Sequence, residues 1–376
     1  MKPVTIALAS SFLAVLTANI SFAQAPTPTP TPMREVAEEL GSLRNSKVAV
    51  PMPEGKTELT YFAGAMSDEE IAELGRMAPN LKVIAGLSRK EALERAQEAH
   101  GIDASFANEA FLKKAEKLAW VQVPSAGVDR YLGLDPLIEN DGIVLTNNRA
   151  VHGPAIADHS MAMLLSLTRN LPFYAESQAK GNWARGEAPT KGVALEGKTM
   201  LVVGIGGIGS EIAQRAHAFG MRVIGTRRSD TPSPEYIEKV GKPDELLAML
   251  PEADVVALAV PLTPETTGLL DAEAFAAMKK GSYLINISRG KVVDTAALVT
   301  ALENGTLAGA CLDVTEPEPL PKNHALWKMP HVIITPHVAS RSEVTDQRRA
   351  ALFRENMRRF AAGEPLLNVV DKKAGY

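Results

Sequence analysis

Short apolar runs alternate with amphipathic stretches along most of the 376-residue chain. The apolar runs have the length of buried strands, and the stretches between them have the period of helices. The stretch that starts at Ser67 opens with the Ser-Asp-Glu-Glu order of a capping box. Such alternation predicts parallel sheets covered by helices, that is, an α/β protein. The predicted strands are residues 47–50, 59–62, 81–85, 120–123, 142–145, 200–203, 222–224, 254–260, 282–287, 309–314 and 332–335.

The apolar run at 200–203 leads directly into a glycine-rich turn. Gly204, Gly206 and Gly209 have the G-x-G-x-x-G spacing, with Ile208 before the last glycine, and a helix and a second strand follow. In that order the first glycine permits a tight turn, the second lets a pyrophosphate approach, and the third allows close helix–strand packing. The sequence therefore predicts a dinucleotide-binding β-α-β unit, and the alternative is a plain strand-to-helix turn.

The end of the second strand of this unit bears on the choice of cofactor. Arg227 and Arg228 stand where NAD-binding domains carry an acidic residue for the ribose hydroxyls. Guanidinium groups bind a 2′-phosphate through paired, charge-assisted hydrogen bonds, whereas a carboxylate repels it. We therefore predict that NADP is the preferred cofactor. NAD is the alternative if both arginines are only solvated.

Residues 1–23 differ in character from the rest of the chain. A lysine precedes an uncharged, mostly apolar run, and Ser-Phe-Ala at 21–23 fits a cleavage site, which predicts a signal peptide and a periplasmic or secreted protein. An uncleaved membrane anchor is one alternative, and a misassigned start, leaving a cytoplasmic protein, is another. Residues 24–35 are rich in proline and threonine and predict an extended linker.

Composition and charge narrow the range of partners. The formal net charge is −4 and there is no basic block, so we expect no nucleic-acid partner. Cys311 is the single cysteine, which excludes an intrachain disulfide, and no residue is assigned to a metal. After the leader some 350 residues remain, a length typical of about two domains.

Three of the later predicted strands are followed by residues that can do chemistry. Arg289, Glu318 and His337 each follow a different strand, and parallel strands end at one edge of a sheet, where α/β proteins bind ligands. Each residue alone is more typical of a surface arginine, a loop carboxylate or a structural histidine. Together, on one nucleotide-binding sheet, they indicate a catalytic set.

The chain resembles the D-isomer-specific 2-hydroxyacid dehydrogenases, a family that includes glyoxylate/hydroxypyruvate reductases and 3-phosphoglycerate dehydrogenases. The resemblance covers about residues 47–370. It is carried by SAGVD, VVGIGGIGSEIAQRAHAFGMRVIG, PLTPETTGLL, LINISRGKVVDTAAL, GACLDVTEPEPLP and IITPHVAS. With the chain order, it implies two doubly wound parallel-sheet domains with a cleft between them. These are a flavodoxin-like substrate domain (36–149 and 338–376) and a Rossmann dinucleotide-binding domain (150–337).

The resemblance also implies catalytic roles. Arg289 would bind the carboxylate of a 2-oxo acid and polarise its carbonyl group, because a planar guanidinium can reach both. His337 would donate the proton that the alkoxide needs. Glu318, bound to the imidazole ring, would stabilise its protonated form through an opposite charge.

Further positions follow from the same resemblance. The backbone N–H groups of Ala126 and Gly127 would help to bind the substrate carboxylate. Asp313 would meet the carboxamide of the nicotinamide, and Pro261 and Thr266 would line the cofactor.

These assignments predict an oxidoreductase that transfers hydride between NAD(P)H and a small 2-oxo acid, such as glyoxylate or hydroxypyruvate, to give a D-2-hydroxy acid. A catalytically vestigial NAD(P)-binding sensor or interaction protein of the same fold is the alternative. The family implies a homodimer. We expect its interface at the apolar helix 154–168 and at an irregular arm, residues 170–195, around Trp183.

Overall fold

A computed structural model describes residues 58–376 and the backbone of residues 45–49. The predicted signal peptide and the predicted linker lie outside these described residues. Within them, no helix combines the length and the apolar character needed to span a bilayer.

The described residues form strands and helices in regular alternation. The strands are β1 (Asn45–Ala49), β2 (Leu59–Ala63), β3 (Leu81–Ala85), β4 (Gly101–Asp103), β5 (Trp120–Gln122), β6 (Val144–Thr146), β7 (Thr199–Val203), β8 (Arg222–Thr226), β9 (Lys239–Gly241), β10 (Val255–Leu258), β11 (Ser282–Asn286), β12 (Leu307–Leu312), β13 (Val332–Ile334) and β14 (Pro365–Leu367). The α-helices are α1 (Asp68–Met77), α2 (Arg89–Glu94), α3 (Glu109–Lys114), α4 (Asp135–Ile138), α5 (Gly153–Thr168), α6 (Leu171–Ala179), α7 (Gly207–Ala218), α8 (Leu246–Met249), α9 (Ala272–Ala277), α10 (Thr295–Glu303) and α11 (Glu343–Ala362).

The first sheet contains five parallel strands in the order β3-β2-β4-β5-β6. Counted from β2, this is the 2-1-3-4-5 order of flavodoxin-like sheets. Helix α1 begins where its sequence predicts, because Ser67 and Glu70 form a complete capping box. The prediction of a flavodoxin-like first sheet is confirmed.

The second sheet contains seven parallel strands in the order β13-β12-β11-β10-β7-β8-β9. Counted from β7, its first six strands have the 3-2-1-4-5-6 order of dinucleotide-binding sheets. For this sheet the sequence predicted six strands, so one strand of the sheet was missed. That strand is β9, a three-residue edge strand that pairs only with β8. Three residues are too few to show a hydrophobic period.

Two other sequence-based expectations were wrong. The strand predicted at 47–50 is β1, but it does not join the first parallel sheet, since it pairs antiparallel with β14. The segment 170–195, expected to be irregular, begins with helix α6. The chain enters α6 through Asn170, whose φ of 55° ends the run of α5 and separates the two helices.

Helix α11 returns to the first sheet after the second sheet is complete. Its Phe360 lies 5.1 Å, centroid to centroid, from Trp120 on β5, and Trp120 lies 5.0 Å from Tyr61 on β2. We call the first sheet, its helices and α11 the first lobe, and the second sheet with α5 and α7–α10 the second lobe. The residues at which the two domains divide stay a prediction.

Helix α5 is buried, as its all-round apolar sequence predicts. Ile156, Met161 and Leu164 pack under the second sheet in a cluster that also holds Ile212 of α7 and Cys311 of β12. Burial raises the pKa of the Cys311 thiol, so this cysteine stays protonated and packs as a small apolar side chain.

The packing of α11 makes a testable prediction. Phe360 is 1% exposed, so Phe360→Ala should lower the free energy of unfolding by about 3 to 5 kcal/mol, because it leaves a cavity beside Trp120. Phe219→Ala is the matched control, since Phe219 is 44% exposed. Its effect should stay within about 0.5 kcal/mol. Urea titration followed by tryptophan fluorescence measures both, and equal losses would contradict the packing.

Candidate active site

The glycine turn between β7 and α7 has the geometry that a dinucleotide requires. Gly204 has a φ of 99°, and a Cβ atom there would lie 2.8 Å from the carbonyl oxygen of Ala259. A Cβ atom at Gly209 would lie 2.1 Å from the carbonyl oxygen of Gly204. At Gly206, the N-cap of α7, the nearest atom to such a Cβ is 3.8 Å away. The turn thus leaves room for a phosphate above the helix N-terminus, where free N–H groups attract anions.

A cavity lies at the end of β8, where the ribose of a dinucleotide would bind. Arg227 borders it, and its guanidinium donates to the carbonyl oxygen of Ser229 at 3.2 Å and to Ser233 Oγ at 3.0 Å. The lining residues are Arg227, Ser229, Asp230, Thr231, Val240, Gly241 and Lys242. The sequence missed Lys242, which follows the missed strand β9 and pairs with Asp230.

Arg228 is placed differently from Arg227. Its guanidinium carbon lies 4.2 Å from the ring centroid of Tyr376, the last residue of the chain. The two arginines therefore have separate environments, one at the cavity and one stacked on an aromatic ring.

The loop after β10, at the same edge of the second sheet, is held by hydrogen bonds among its own residues. Thr266 Oγ1 donates to the carbonyl oxygen of Pro261 at 2.7 Å and accepts from the N–H of Thr263 at 2.8 Å. Ile208 is half-buried in the first turn of α7. Pro261, Thr266 and Ile208 lie at the edge of the sheet where a cofactor is predicted to bind. Their contacts with a cofactor stay a prediction.

The three predicted catalytic residues follow β11, β12 and β13, which are neighbours in the second sheet. His337 Nδ1 lies 2.8 Å from Glu318 Oε1, and both side chains are nearly half-exposed. The hydrogen bond leaves Nε2 as the ring atom that can meet a substrate. Parallel pairing of the three strands brings Arg289 to the same edge.

Asp313, at the end of β12, fixes the turn that carries His337. Its side chain is 3% exposed and accepts from Thr335 Oγ1 at 2.6 Å, from the N–H of Val338 at 2.9 Å and from the N–H of Ala339 at 3.0 Å. The N–H of His337 donates to the carbonyl oxygen of Asp313 at 2.9 Å. A buried carboxylate needs such donors, and together they hold His337 at a φ of 54°.

The same group of hydrogen bonds reaches helix α5. Since the Thr335 hydroxyl donates to Asp313, it accepts from His159 Nε2, which lies 2.9 Å away. Sequence reasoning assigned Asp313 to the nicotinamide carboxamide and gave His159 no role. The carboxylate of Asp313 is engaged within the chain, and its contact with a cofactor stays a prediction.

Arg289 lies where the two lobes meet. Its Nε and Nη2 atoms donate to Asp129 Oδ1 of the first lobe at 3.2 Å and 3.1 Å, and Nη1 donates to the carbonyl oxygen of Ser288 at 2.8 Å. A Cβ atom at Gly127 would lie 2.0 Å from Arg289 Nη2, so a larger residue there would displace the guanidinium of Arg289. No pattern in the sequence pairs Asp129 with Arg289, although Asp129 stands within the SAGVD loop.

The loop beside Arg289 turns its carbonyl groups into the protein. The carbonyl oxygen of Ser125 accepts from the N–H of Asn148 at 3.0 Å, that of Ala126 from Asn147 Nδ2 at 2.8 Å, and that of Gly127 from Ser125 Oγ at 2.8 Å. With the carbonyl groups held away, the loop and the guanidinium can bind a carboxylate.

Among residues 58–376, no group of three or more His, Cys, Asp or Glu side chains could hold a metal ion.

Comparison with known proteins shows the family of the chain. Residues 161–339 match the model of the D-isomer specific 2-hydroxyacid dehydrogenase NAD binding domain. D-3-phosphoglycerate dehydrogenase of Methanocaldococcus jannaschii is 33% identical over 309 residues, which is 81% of this chain and 56% of that protein. Glyoxylate reductase of Thermococcus litoralis is 36% identical over 267 residues, which is 69% of this chain and 79% of that protein.

A solved structure is similar over a comparable length. It is an NADPH-dependent glyoxylate/hydroxypyruvate reductase from Sinorhizobium meliloti, in complex with NADP and sulfate. The TM-score is 0.70 at 28% identity, over 85% of this chain and all of that chain. The present chain thus spans little more than half of the phosphoglycerate dehydrogenase, but most or all of the two reductases. From these similarities and the two parallel sheets, the chain belongs to the D-isomer specific 2-hydroxyacid dehydrogenase family.

Proposed function

We propose that the protein is an NADP(H)-preferring oxidoreductase that interconverts a small 2-oxo acid and the corresponding D-2-hydroxy acid. Glyoxylate and hydroxypyruvate are the substrates we would test first. The observation that carries the proposal is the 2.8 Å hydrogen bond between His337 and Glu318. The hydrogen bond pairs a proton donor, His337, with its counter-ion, Glu318. The pair lies at the sheet edge that also carries Arg289 and the glycine turn.

Substrate binding draws on both lobes. Three of the five N–H donors of Arg289 are used by Asp129 and Ser288, which leaves one on each Nη atom. A 2-oxo acid between these donors and the N–H groups of Ala126 and Gly127 has its carboxylate bound. Its carbonyl oxygen then lies beside a guanidinium that is also paired with Asp129, in a partly buried site where fixed donors stabilise a developing negative charge.

The proton step belongs to His337. A dinucleotide bound at the glycine turn would supply hydride to C2 from its reduced nicotinamide, and the former carbonyl oxygen would become an alkoxide. His337 Nε2–H gives that oxygen its proton, while Glu318 accepts from Nδ1–H and stabilises the ring in its charged form. Because the histidine is 46% exposed, the ring can take up its next proton from solvent.

The preference for NADP rests on the cavity at the end of β8. Arg227 and Lys242 bring two cations to it, of which Lys242 is paired with Asp230, and Ser229 and Thr231 bring hydroxyl donors. A ribose 2′-phosphate is the part of a dinucleotide that such a set recognises. The Sinorhizobium relative was solved with NADP, which supports the same choice.

The vestigial alternative fits the structure less well. A sensor of this fold would need only the glycine turn and the cavity at β8. The paired His337 and Glu318, and a Gly127 that leaves room for Arg289, are features that catalysis needs and nucleotide binding does not.

We also propose a homodimer. Large apolar side chains are exposed along α6 and the segment after it, with Leu171 at 50%, Tyr174 at 40% and Trp183 at 89%. Exposed apolar side chains grouped in this way are typical of protein–protein interfaces. Helix α5 already packs within its own chain, so the interface rests on α6 and the arm that follows.

The proton-donor role makes the first prediction here. His337→Gln should lower kcat for glyoxylate or hydroxypyruvate reduction by on the order of 100-fold or more, because the alkoxide loses its acid. Binding of NADPH, measured by its fluorescence, should stay unchanged. His217→Gln is the control, since His217 is exposed on α7. Full turnover by His337→Gln would contradict the role of His337 as the proton donor.

The proposed preference for NADP makes the second prediction. Arg227→Ala should raise the KM for NADPH by about 10- to 100-fold, because charge-assisted hydrogen bonds to the 2′-phosphate are lost. The KM for NADH should change little, which serves as the internal control. Steady-state kinetics with both cofactors measures the ratio. A parallel loss with NADH would place Arg227 away from the 2′-phosphate.

The proposed dimer makes the third prediction. Trp183→Ser should shift the protein toward monomer in sedimentation equilibrium, because it removes a large apolar anchor from the exposed arm. Trp327→Ser is the matched control, since Trp327 is 50% exposed on the second lobe and outside the arm. An unchanged dimer, or a monomeric wild type, would contradict the interface.

A further inference from the structure

The turn that carries the proton donor His337 is open to solvent on its outer side. Pro336 and His337 are exposed, and Thr335 before them is half-buried. The N–H of His337 donates to the carbonyl oxygen of Asp313 at 2.9 Å and to that of Thr335 at 3.0 Å. The φ of 54° at His337 costs free energy in a residue with a Cβ atom, and such a conformation persists only where its surroundings hold it. The turn therefore needs support from its inner side.

The side chain of Thr335 gives inner support to this turn. Its hydroxyl group lies 2.6 Å from Asp313 Oδ1, 2.9 Å from His159 Nε2 and 3.8 Å from the sulfur atom of Met163. A hydroxyl group has one proton to donate. That proton goes to the carboxylate, because a hydrogen bond to an ionised oxygen is shorter and stronger than one to a thioether sulfur. The hydroxyl oxygen is then the acceptor for the histidine.

Helix α5 supplies the donor that this oxygen accepts from. His159 Nε2 lies 3.8 Å from Asp313 Oδ1, too far for a hydrogen bond, so the histidine acts on the carboxylate through Thr335. The imidazole ring carries a proton on Nε2 in its charged form and in one of its two neutral tautomers. Because α5 packs under the second sheet through Ile156 and Met161, the ring is held at a fixed place. His159 thereby keeps the hydroxyl proton directed at Asp313.

The donors to Asp313 lie on both sides of His337 in the chain. Thr335 precedes the histidine, whereas the N–H groups of Val338 and Ala339 follow it. The carboxylate thus anchors the turn at both of its ends. Without the hydroxyl group only the later end would stay anchored to the carboxylate, and the imidazole ring of His337 would be free to move.

We propose that Thr335 is a positioning residue for His337, and that His159 fixes the direction in which the Thr335 hydroxyl group donates. The proposal rests on the proton-donor role of His337 in the proposed function and names two residues on which that role depends. Positioning of this kind acts on the rate of proton transfer, because Nε2 of His337 has to lie within hydrogen-bond reach of the alkoxide oxygen. A misplacement of about 1 Å lowers such a rate by on the order of 100-fold.

The first test removes the hydroxyl group and keeps the shape of the side chain. Thr335→Val should lower kcat for glyoxylate or hydroxypyruvate reduction by about 10- to 100-fold and leave the dissociation constant of NADPH unchanged. Thr335→Ser keeps the hydroxyl group and should restore most of the rate. Thr300→Val is the matched control, since Thr300 is exposed on α10 and its hydroxyl group donates within that helix, to the carbonyl oxygen of Ala296.

A second pair of variants tests the same hydrogen bonds from α5. His159→Phe removes the donor to Thr335 and should lower kcat in the same way. His159→Gln offers an amide N–H near the place of Nε2–H and should restore part of the rate. A loss in Thr335→Ser equal to that in Thr335→Val, or full kcat in Thr335→Val, would overturn the proposal. Weaker NADPH binding in Thr335→Val would indicate a cofactor contact and would also overturn it.

A double variant separates positioning from a direct role. Because Thr335 acts through His337, Thr335→Val combined with His337→Gln should be no slower than His337→Gln alone. Losses that multiply would show that Thr335 acts independently of the histidine, which contradicts the proposal.

One readout needs no turnover. In full-length protein with isotope-labelled histidine, the Cε1–Hε1 cross-peak of His337 is identified by its loss in His337→Gln and reports the surroundings of the ring. The cross-peak should shift in Thr335→Val and keep its position in Thr335→Ser, and an unmoved cross-peak would overturn the proposal. A wild type that reduces no 2-oxo acid, but whose cross-peak shifts in Thr335→Val, would overturn the proposed function and support the positioning by Thr335.

Discussion

The buried carboxylate of Asp313 is the interaction on which the candidate site depends most. A carboxylate that is 3% exposed is stable only when donors surround it, and its donors come from Thr335, Val338 and Ala339. Satisfying one buried charge therefore fixes a whole turn, with His337 in a left-handed conformation that a histidine rarely adopts without such support. Through Thr335 the same requirement reaches α5. Hydrogen bonds thus connect the end of β12, the histidine turn and helix α5.

The two predicted binding positions differ in where they lie. The glycine turn and the cavity at β8 are formed by the second lobe. The proposed carboxylate position is different, because it lies between the SAGVD loop of one lobe and Arg289 of the other. The ion pair of Arg289 with Asp129 is a direct contact between the two lobes at this position.

Local sequence patterns predicted the fold well and the contacts between distant elements poorly. The order strand, glycines, helix, strand around residues 199–226 was sufficient to predict the dinucleotide unit, because each step is fixed by neighbouring residues. Strands β4 and β9 were missed because each has only three residues, too few to show a hydrophobic period. The pairing of β1 with β14, and that of Asp129 with Arg289, join residues far apart in the chain. Such contacts follow from how the lobes pack, which single-sequence patterns do not contain.

The return of the chain to its first sheet has a consequence for the order of folding. The Asn80 side chain donates to the carbonyl oxygen of Ala361 at 2.8 Å, across 281 positions, and Phe360 completes the core beside Trp120. On a ribosome, the nascent first sheet thus has an open apolar face until α11 has emerged, whereas the second sheet already has all its strands. In this protein the lobe that is synthesised first is the one that is finished last.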